Sequence, residues 1–148
     1  MRIILAAIAA LLLATPASAQ ALRVRETTAS VKDATDRLVK AIEGKGLKVA
    51  ARVDHAAGAV AAGMTMPPTE VVIFGNPKLG TELMLANPQI AVDLPLKILI
   101  WQAAPGRTMI GYTMPNALKA RFGINDKDAL FEAMSESLEG FATAAARP

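Results

Sequence analysis

The chain contains no cysteine and one histidine, and each scarcity excludes a class of chemistry. Without cysteine there is no disulfide, no thiol nucleophile and no thiolate ligand for zinc or an iron-sulfur cluster. A single histidine also excludes a zinc site built from several imidazoles. The catalytic signatures G-x-S-x-G, G-x-x-x-x-G-K-[ST] and H-E-x-x-H are absent as well. Any imidazole chemistry in this protein must therefore use His55.

The chain also has only a small excess of charge of one sign. The formal net charge is +3 and falls to +2 without Arg2, and the two signs are interspersed along the chain. Such a balance provides neither a basic stripe for nucleic acid nor a polybasic patch for a membrane surface. We therefore expect no nucleic-acid partner.

The first 19 residues have the features of a secretory signal peptide. Arg2 precedes a short apolar run, Pro16 breaks it, and Ala17 to Ala19 form a small-residue cleavage site. Cleavage is predicted after Ala19 or Ala21. The run is shorter than the roughly 20 apolar residues of a membrane-spanning helix. The sequence thus predicts a leader at 1–19, a single domain at 20–148, a periplasmic or secreted location, and no membrane anchor after cleavage.

The remaining residues alternate between periods of two and of 3.6, which predicts strands and helices in the order β-α-β-β-α-β-β-α-α. The predicted strands are 22–25, 47–55, 70–74, 96–102 and 107–113, and the predicted helices start at Ser30, Asn76, Pro115 and Asn125. His55 is placed at the end of the second strand, residues 56–68 form a loop, and 70–74 is expected to be buried on both faces. This order predicts a two-layer α+β domain with helices on one face of a mainly antiparallel sheet.

Two runs of residues and three single positions resemble a known family. The runs are Pro67 to Thr81 and Asp93 to Trp101, and the further matches are Asp54, His55 and Tyr112. They resemble the bacterial domain of unknown function 302 family. The resemblance implies a compact α+β domain likened to the TATA-binding-protein half-fold, often dimeric and found alone or attached to other modules. It implies no established reaction.

One candidate site is a metal centre at His55. Met64 and Met66 present two thioethers on one side of an extended segment, and thioethers with an imidazole suit Cu(I) in an exported protein. The alternative interpretation makes these methionines flexible filling under a loop, with His55 bonded to the backbone.

A second candidate site is a pocket for a small ligand, contributed by His55, Asn76, Trp101 and Tyr112. Asn76 precedes Pro77 at a helix start, where free backbone amides can bind an anion. Asn76 itself can instead cap those amides. Trp101 and Tyr112 are interpreted either as flanking the pocket or as ordinary core aromatics.

Three functions remain open from the sequence. The first is a binding or accessory protein, homodimeric through its sheet or hairpin, that holds a small ligand or metal near His55. The second is a hydrolase or lyase-type enzyme in which His55 is the general base and the Asn76 helix start, with Glu70, stabilises developing negative charge. The third is a structural or interaction module without a ligand.

Overall fold

The computed structural model describes residues 22–147. The predicted signal peptide and both of its cleavage positions lie outside these residues. The elements are β1 (Leu22–Thr27), α1 (Val31–Gly44), β2 (Lys48–Asp54), α2 (His55–Ala61), β3 (Thr69–Gly75), α3 (Pro77–Ala86), a 3-10 helix (Pro88–Val92), β4 (Leu96–Ala104), β5 (Arg107–Thr113), α4 (Pro115–Phe122) and α5 (Asp128–Ala146).

The five strands form one antiparallel sheet in the order β1-β5-β4-β3-β2. Helices α1 and α5 pack against each other and against one face of the sheet. The two-residue turn between β4 and β5 makes these strands an antiparallel hairpin. The predicted α+β class, element order and placement of helices on one face are confirmed.

The helix start predicted at Asn125 is wrong, because α5 begins at Asp128 and has no side-chain cap. Local signals in the sequence do explain where α1 and α3 begin. The Ser30 hydroxyl accepts a hydrogen bond from the backbone N–H of Asp33 (3.1 Å) and so caps α1. The Asn76 side chain accepts from the backbone N–H of Lys78 (3.0 Å), and Pro77 follows at the first helical position. These caps satisfy amides that the first turn of a helix leaves without a partner.

The prediction that His55 ends a strand is wrong. Strand β2 ends at Asp54, whose carboxylate accepts from the backbone N–H of Ala57 (2.9 Å) and thereby caps α2. His55 is the first residue of that helix, and the segment predicted as a loop is helical as far as Ala61. The alanines of this segment favour a helix once an aspartate caps it. The period-two pattern before it hid this start.

The prediction that β3 is buried on both faces is also wrong. Glu70, Val72 and Phe74 are buried under the helices, whereas Val71 and Ile73 on the other face stay partly exposed. A continuous apolar run therefore belongs here to a sheet with one helix-covered face and one partly exposed face.

The face opposite the helices carries apolar side chains on all five strands. Its members, called the open sheet face below, are Leu22, Val24, Val53, Val71, Ile73, Leu99, Trp101 and Met109. Leu22, Val24 and Val53 are 38–42% exposed. Apolar surface that is contiguous and exposed marks an interaction site more often than it marks ordinary surface.

The helix side of the domain contains two hydrophobic clusters. The first lies between the sheet and helices α1 and α5, and includes Phe74 and Phe141, whose rings meet edge to face at 5.4 Å. The second lies beyond the end of the sheet, among α3, α4, the 3-10 helix and the first half of α5, and includes Leu83 and Met134. Leu96 packs against both clusters. The junction between the two clusters borders the larger of the two cavities described below.

Candidate functional site

A cleft of about 1420 Å³ opens at the junction of the two clusters. It is bordered by the end of α1, the β3–α3 connection, α3, the loop before β4, and one side of α5. We call it the Asn76 cleft, because Asn76 lies on its rim. Its apolar lining is Leu47, Phe74, Leu79, Leu83, Met84, Leu94, Leu96, Met134 and Phe141. A concave and largely apolar surface with a few polar groups is typical of a small-molecule site.

Three glycines within helices line the Asn76 cleft. They are Gly44, Gly80 and Gly140, on α1, α3 and α5 respectively. A Cβ atom added at Gly44 or Gly140 would meet nothing within 4 Å. Glycine in a helix costs roughly 0.5–1 kcal/mol relative to alanine. At both positions, a side chain is absent where it would have free space.

The rim of the cleft is positively charged. Lys45, Lys48 and Arg147 line it together with one acid, Glu136. Within residues 22–147, none of these three cations lies within 4.0 Å of a carboxylate oxygen, whereas Arg25, for example, is paired with Glu139. Among the described residues, the rim therefore carries three cations and one acid, which is a net positive charge.

Asn76 is exposed, and its side chain is engaged in capping α3. Its amide oxygen accepts from the Lys78 N–H, so this amide of α3 has a partner without a bound anion. The capping interpretation of the sequence matches this geometry. Asn76 contributes to the cleft as a polar rim residue.

A second, smaller cavity of about 420 Å³ lies along the edge strand β1. Beside it, the buried Tyr112 hydroxyl donates to Glu139 Oε2 (2.7 Å), and Arg23 Nε donates to the same oxygen (3.0 Å). Arg25 donates to the other carboxylate oxygen. Burial, and then the neighbouring carboxylate, raises the pKa of Tyr112 to about 12. The Tyr112 hydroxyl, followed by Arg25, lowers the pKa of Glu139 although burial opposes this.

These values assign a structural role to the Tyr112–Glu139 pair. A phenol with so high a pKa remains protonated near neutral pH and acts as a donor rather than a base. The Tyr112–Glu139 hydrogen bond connects β5 to α5, and the bonds from Arg23 and Arg25 connect β1 to the same glutamate.

Trp101 and Tyr112 lie on opposite faces of the sheet. Trp101 is half-buried on the open sheet face and lies over Gly111, where an added Cβ would approach its ring to 3.0 Å. Tyr112 points towards α5. The two aromatic side chains therefore do not flank one pocket.

His55 is the first residue of α2, Met64 and Met66 lie in the connection between α2 and β3, and all three are exposed. Within residues 22–147 no group of three or more histidine, aspartate and glutamate side chains is arranged to hold a metal ion. This absence concerns histidine, aspartate and glutamate side chains and does not extend to methionine sulfurs. The Cu(I) site of His55, Met64 and Met66 thus stays a prediction.

The residues of the enzyme hypothesis are spread along β2 and β3. Asp54 pairs with Glu70 at one end of these strands, and Lys48 pairs with Gly75 at the other. His55 follows Asp54 and Asn76 follows Gly75, so about 20 Å of strand separates them. The Glu70 side chain is buried on the helix face and bonded to Arg52. The structure does not bring His55, Glu70 and Asn76 into one site.

Sequence reasoning did not identify Lys45, Lys48, Glu139 or Gly140 as site residues. Lysines and glutamates at exposed helix and strand ends carry no distinguishing pattern. Gly140 did carry a signal, because it interrupts the helical period of the last segment.

Comparisons with known proteins agree with this fold. A family model described as domain of unknown function DUF302 matches residues 23–141. The crystal structure of an uncharacterized conserved DUF302 protein from Bacillus stearothermophilus has a TM-score of 0.76 at 17% sequence identity, and the match covers 87% of this chain and 100% of that one.

Two related proteins are named as fluoride-specific ion channels. FluC 1 of Brucella suis biovar 1 is 37% identical over 110 residues, which are 74% of this chain and 43% of that protein. FluC 2 of Brucella melitensis biotype 1 is also 37% identical over 110 residues, which are 41% of its length. The chain thus spans about two fifths of the length of these relatives. Among residues 22–147, no helix has both the length and the apolarity needed to cross a membrane.

The family model covers most of the chain, and the topology of the sheet and helices is shared with a solved member. The protein therefore belongs to the DUF302 family.

Proposed function

We propose that the protein is a periplasmic or secreted binding or accessory protein that holds a small ligand in the Asn76 cleft. The observation that carries this proposal is the cleft itself. Its volume of about 1420 Å³ exceeds the roughly 300–1,000 Å³ of most small-ligand sites. Apolar residues make up most of its lining, and Asn76, Thr81, Ser137 and four charged residues make up the rest. Binding of an apolar molecule there releases water from the walls without leaving a buried polar group unpaired.

This location differs from the neighbourhood of His55 that the sequence indicated. His55 does not line the Asn76 cleft, and it lies at the other end of β2. The predicted residue that does border the cleft is Asn76.

Gly140 provides a direct test, because it lies on the wall of the cleft with free space beside it. We expect wild type to bind the neutral apolar dye Nile red with enhanced fluorescence. Gly140→Leu should abolish most of that signal, since its side chain would enter the cleft. The matched control is Thr143→Leu, which places the same side chain at an exposed position of α5 outside the cleft.

Circular dichroism shows whether each variant keeps its helices. Dye binding that is lost in Gly140→Leu and kept in Thr143→Leu supports the cleft as the site. Equal binding by both variants, or no binding by wild type, contradicts the proposal.

We also propose that the accessory role concerns fluoride export. The support is the 37% identity to two proteins named as fluoride-specific ion channels. The matching stretch makes up about two fifths of the length of each of these relatives. More than half of each relative therefore lies outside the region shared with this protein. A domain that accompanies a channel in one polypeptide can also act beside one as a separate chain.

Fluoride tolerance tests this second candidate. Deleting the gene for this chain should lower the fluoride concentration that inhibits growth of its bacterium, and expression of the wild-type chain should restore it. Chloride at equal concentration is the control for ionic strength. Unchanged tolerance after deletion would remove fluoride from the proposal and would leave the cleft as it stands.

We propose that a second copy of the chain covers the open sheet face. Five strands about 4.8 Å apart and about seven residues long present roughly 500 Å² of projected area, or roughly 1,000 Å² for two copies. This total reaches the lower limit for a specific interface. Two sheets stacked face to face about 10 Å apart would bury Val24 and Val71 between them.

A further inference from the structure

We propose that the ligand of the Asn76 cleft is an anionic amphiphile, that is, a molecule with one long apolar chain and one anionic head group. This inference rests on the proposed binding function and specifies its chemistry. Three properties of the cleft carry it, namely its long and largely apolar lining, the exposed helical glycines that place no side chain in it, and the cations on its rim.

The apolar wall is elongated along α5. It includes Met134 near the beginning of the helix and Ala144 near its end, and the lining continues to Arg147. At 1.5 Å per residue, Met134 and Arg147 are about 20 Å apart along the helix axis. The cleft thus has the length of an extended fatty acyl chain, and a compact polar metabolite would leave most of this wall in contact with water.

The glycines explain why the cleft remains open. Gly140 lies in the interior of α5, where alanine or leucine would give a more stable helix. An added Cβ at this position has no neighbour within 4 Å, so close packing does not require glycine. The positive-φ requirement that selects glycine in turns is also absent, since the four glycines with positive φ are Gly46, Gly63, Gly106 and Gly123. Gly140 is exposed on the lining of the cleft, and it places no side chain there.

The charge on the rim indicates the sign of the head group. Lys45 and Lys48 lie on either side of the turn between α1 and β2, at the mouth of the cleft, and both are exposed. Within the described part of the chain neither has a carboxylate within 4.0 Å, whereas Lys32 on the same helix is paired with Asp36. Two ammonium groups offer six hydrogen-bond donors and no acceptor. They therefore favour a carboxylate or phosphate over a neutral alcohol.

Competition binding on the purified protein tests the proposal. Palmitate, hexadecyl phosphate and hexadecanol have the same chain and differ in the head group. We expect palmitate and hexadecyl phosphate to displace Nile red from wild type at lower concentrations than hexadecanol. Lys45→Gln and Lys48→Gln should each weaken palmitate binding about fivefold, as exposed charge pairs do. Lys40→Gln, on the same helix but outside the cleft, is the control.

The outcomes separate this inference from the proposed function. Palmitate binding that is weakened in Lys45→Gln and Lys48→Gln, and blocked in Gly140→Leu, supports the anionic amphiphile. Equal affinity for palmitate and hexadecanol, or unchanged affinity in both lysine variants, overturns the anionic head group and leaves a neutral apolar ligand. A wild-type protein that binds neither Nile red nor any of the three amphiphiles overturns both. Preference for palmitate over hexadecyl phosphate, or the reverse, identifies the head group.

Discussion

Tyr112 gives the most direct test of the structure, because it is the only tyrosine of the chain and its ionisation can be followed by the ultraviolet absorbance of tyrosinate. The residue is 4% exposed, and its hydroxyl donates to Glu139 Oε2 at 2.7 Å. Burial is the larger cause and the carboxylate the second, and together they raise its pKa from 10.0 to about 12, while Arg23 and Arg25 act in the opposite direction. We therefore expect the absorbance change near pH 12.

The same shift makes stability depend on alkaline pH. A group whose pKa is higher in the folded than in the unfolded state stabilises the fold fully below its unfolded pKa and loses that contribution as pH rises through the folded pKa. For Tyr112 the loss falls between pH 10.0 and about pH 12. The difference between these values corresponds to about 3 kcal/mol. Chemical denaturation of wild type and Tyr112→Phe across this range should show the loss in wild type and a smaller one in the variant.

Glu139→Gln separates the two causes. The variant keeps a side-chain oxygen that can accept the Tyr112 hydrogen bond and removes the negative charge. Because burial remains, we expect the pKa of Tyr112 to fall below the wild-type value and to stay above 10.0. Glu132→Gln, at an exposed position of the same helix, should leave the titration unchanged. A wild-type tyrosine that titrates near pH 10.0 would refute the buried contact between β5 and α5.

Three further substitutions test the fold and the proposed assembly, and a fourth tests the metal prediction. Ser30→Ala removes the cap of α1 and should lower the free energy of unfolding by about 1 kcal/mol in urea denaturation. Arg52→Met leaves the buried Glu70 carboxylate without its partner and should lower the free energy of unfolding by about 2–3 kcal/mol in the same assay. An unchanged free energy of unfolding would show that water solvates the Glu70 carboxylate in place of Arg52. Val71→Lys should convert a dimer to a monomer in analytical ultracentrifugation without changing the helical circular dichroism; a monomeric wild type contradicts the proposed sheet contact. His55→Ala should abolish any Cu(I) binding measured with a chromogenic chelator, and retention of full affinity would remove the imidazole from the predicted site.

The sequence determined the fold to a large extent, because local patterns and the architecture agree. Ser30 and Asn76 predicted helix starts that the caps confirm. The five strands were predicted from alternation with a period of two, from one continuous apolar run and from turn residues. The turn at Pro105-Gly106 also predicted that β4 and β5 form an antiparallel hairpin. The prediction fails where two local signals favour different secondary structures. At His55 the alternating pattern of β2 continued past an aspartate that caps a helix.

The site was determined mainly by the tertiary structure. His55 was singled out because it is the one histidine of the chain, but rarity does not determine where a residue lies in the fold. His55 follows one end of β2, and this position separates it from the cleft. Trp101 and Tyr112 are on neighbouring strands, but strand register puts them on opposite faces of the sheet. Sequence alone does not define such positions, since they depend on which strands pair and in which register.

The sequence by itself determined the chemistry that is available. It contains no thiol, one imidazole and a nearly balanced set of charges, and these counts hold whatever the fold. Only the tertiary structure decided which groups meet, because the Asn76 cleft is formed by elements as distant in the chain as α1 and α5. Gly140 shows the difference most clearly. In the sequence it is an unfavourable residue within a helical pattern. In the structure it lines a cleft between two hydrophobic clusters, at a position where a side chain would have free space.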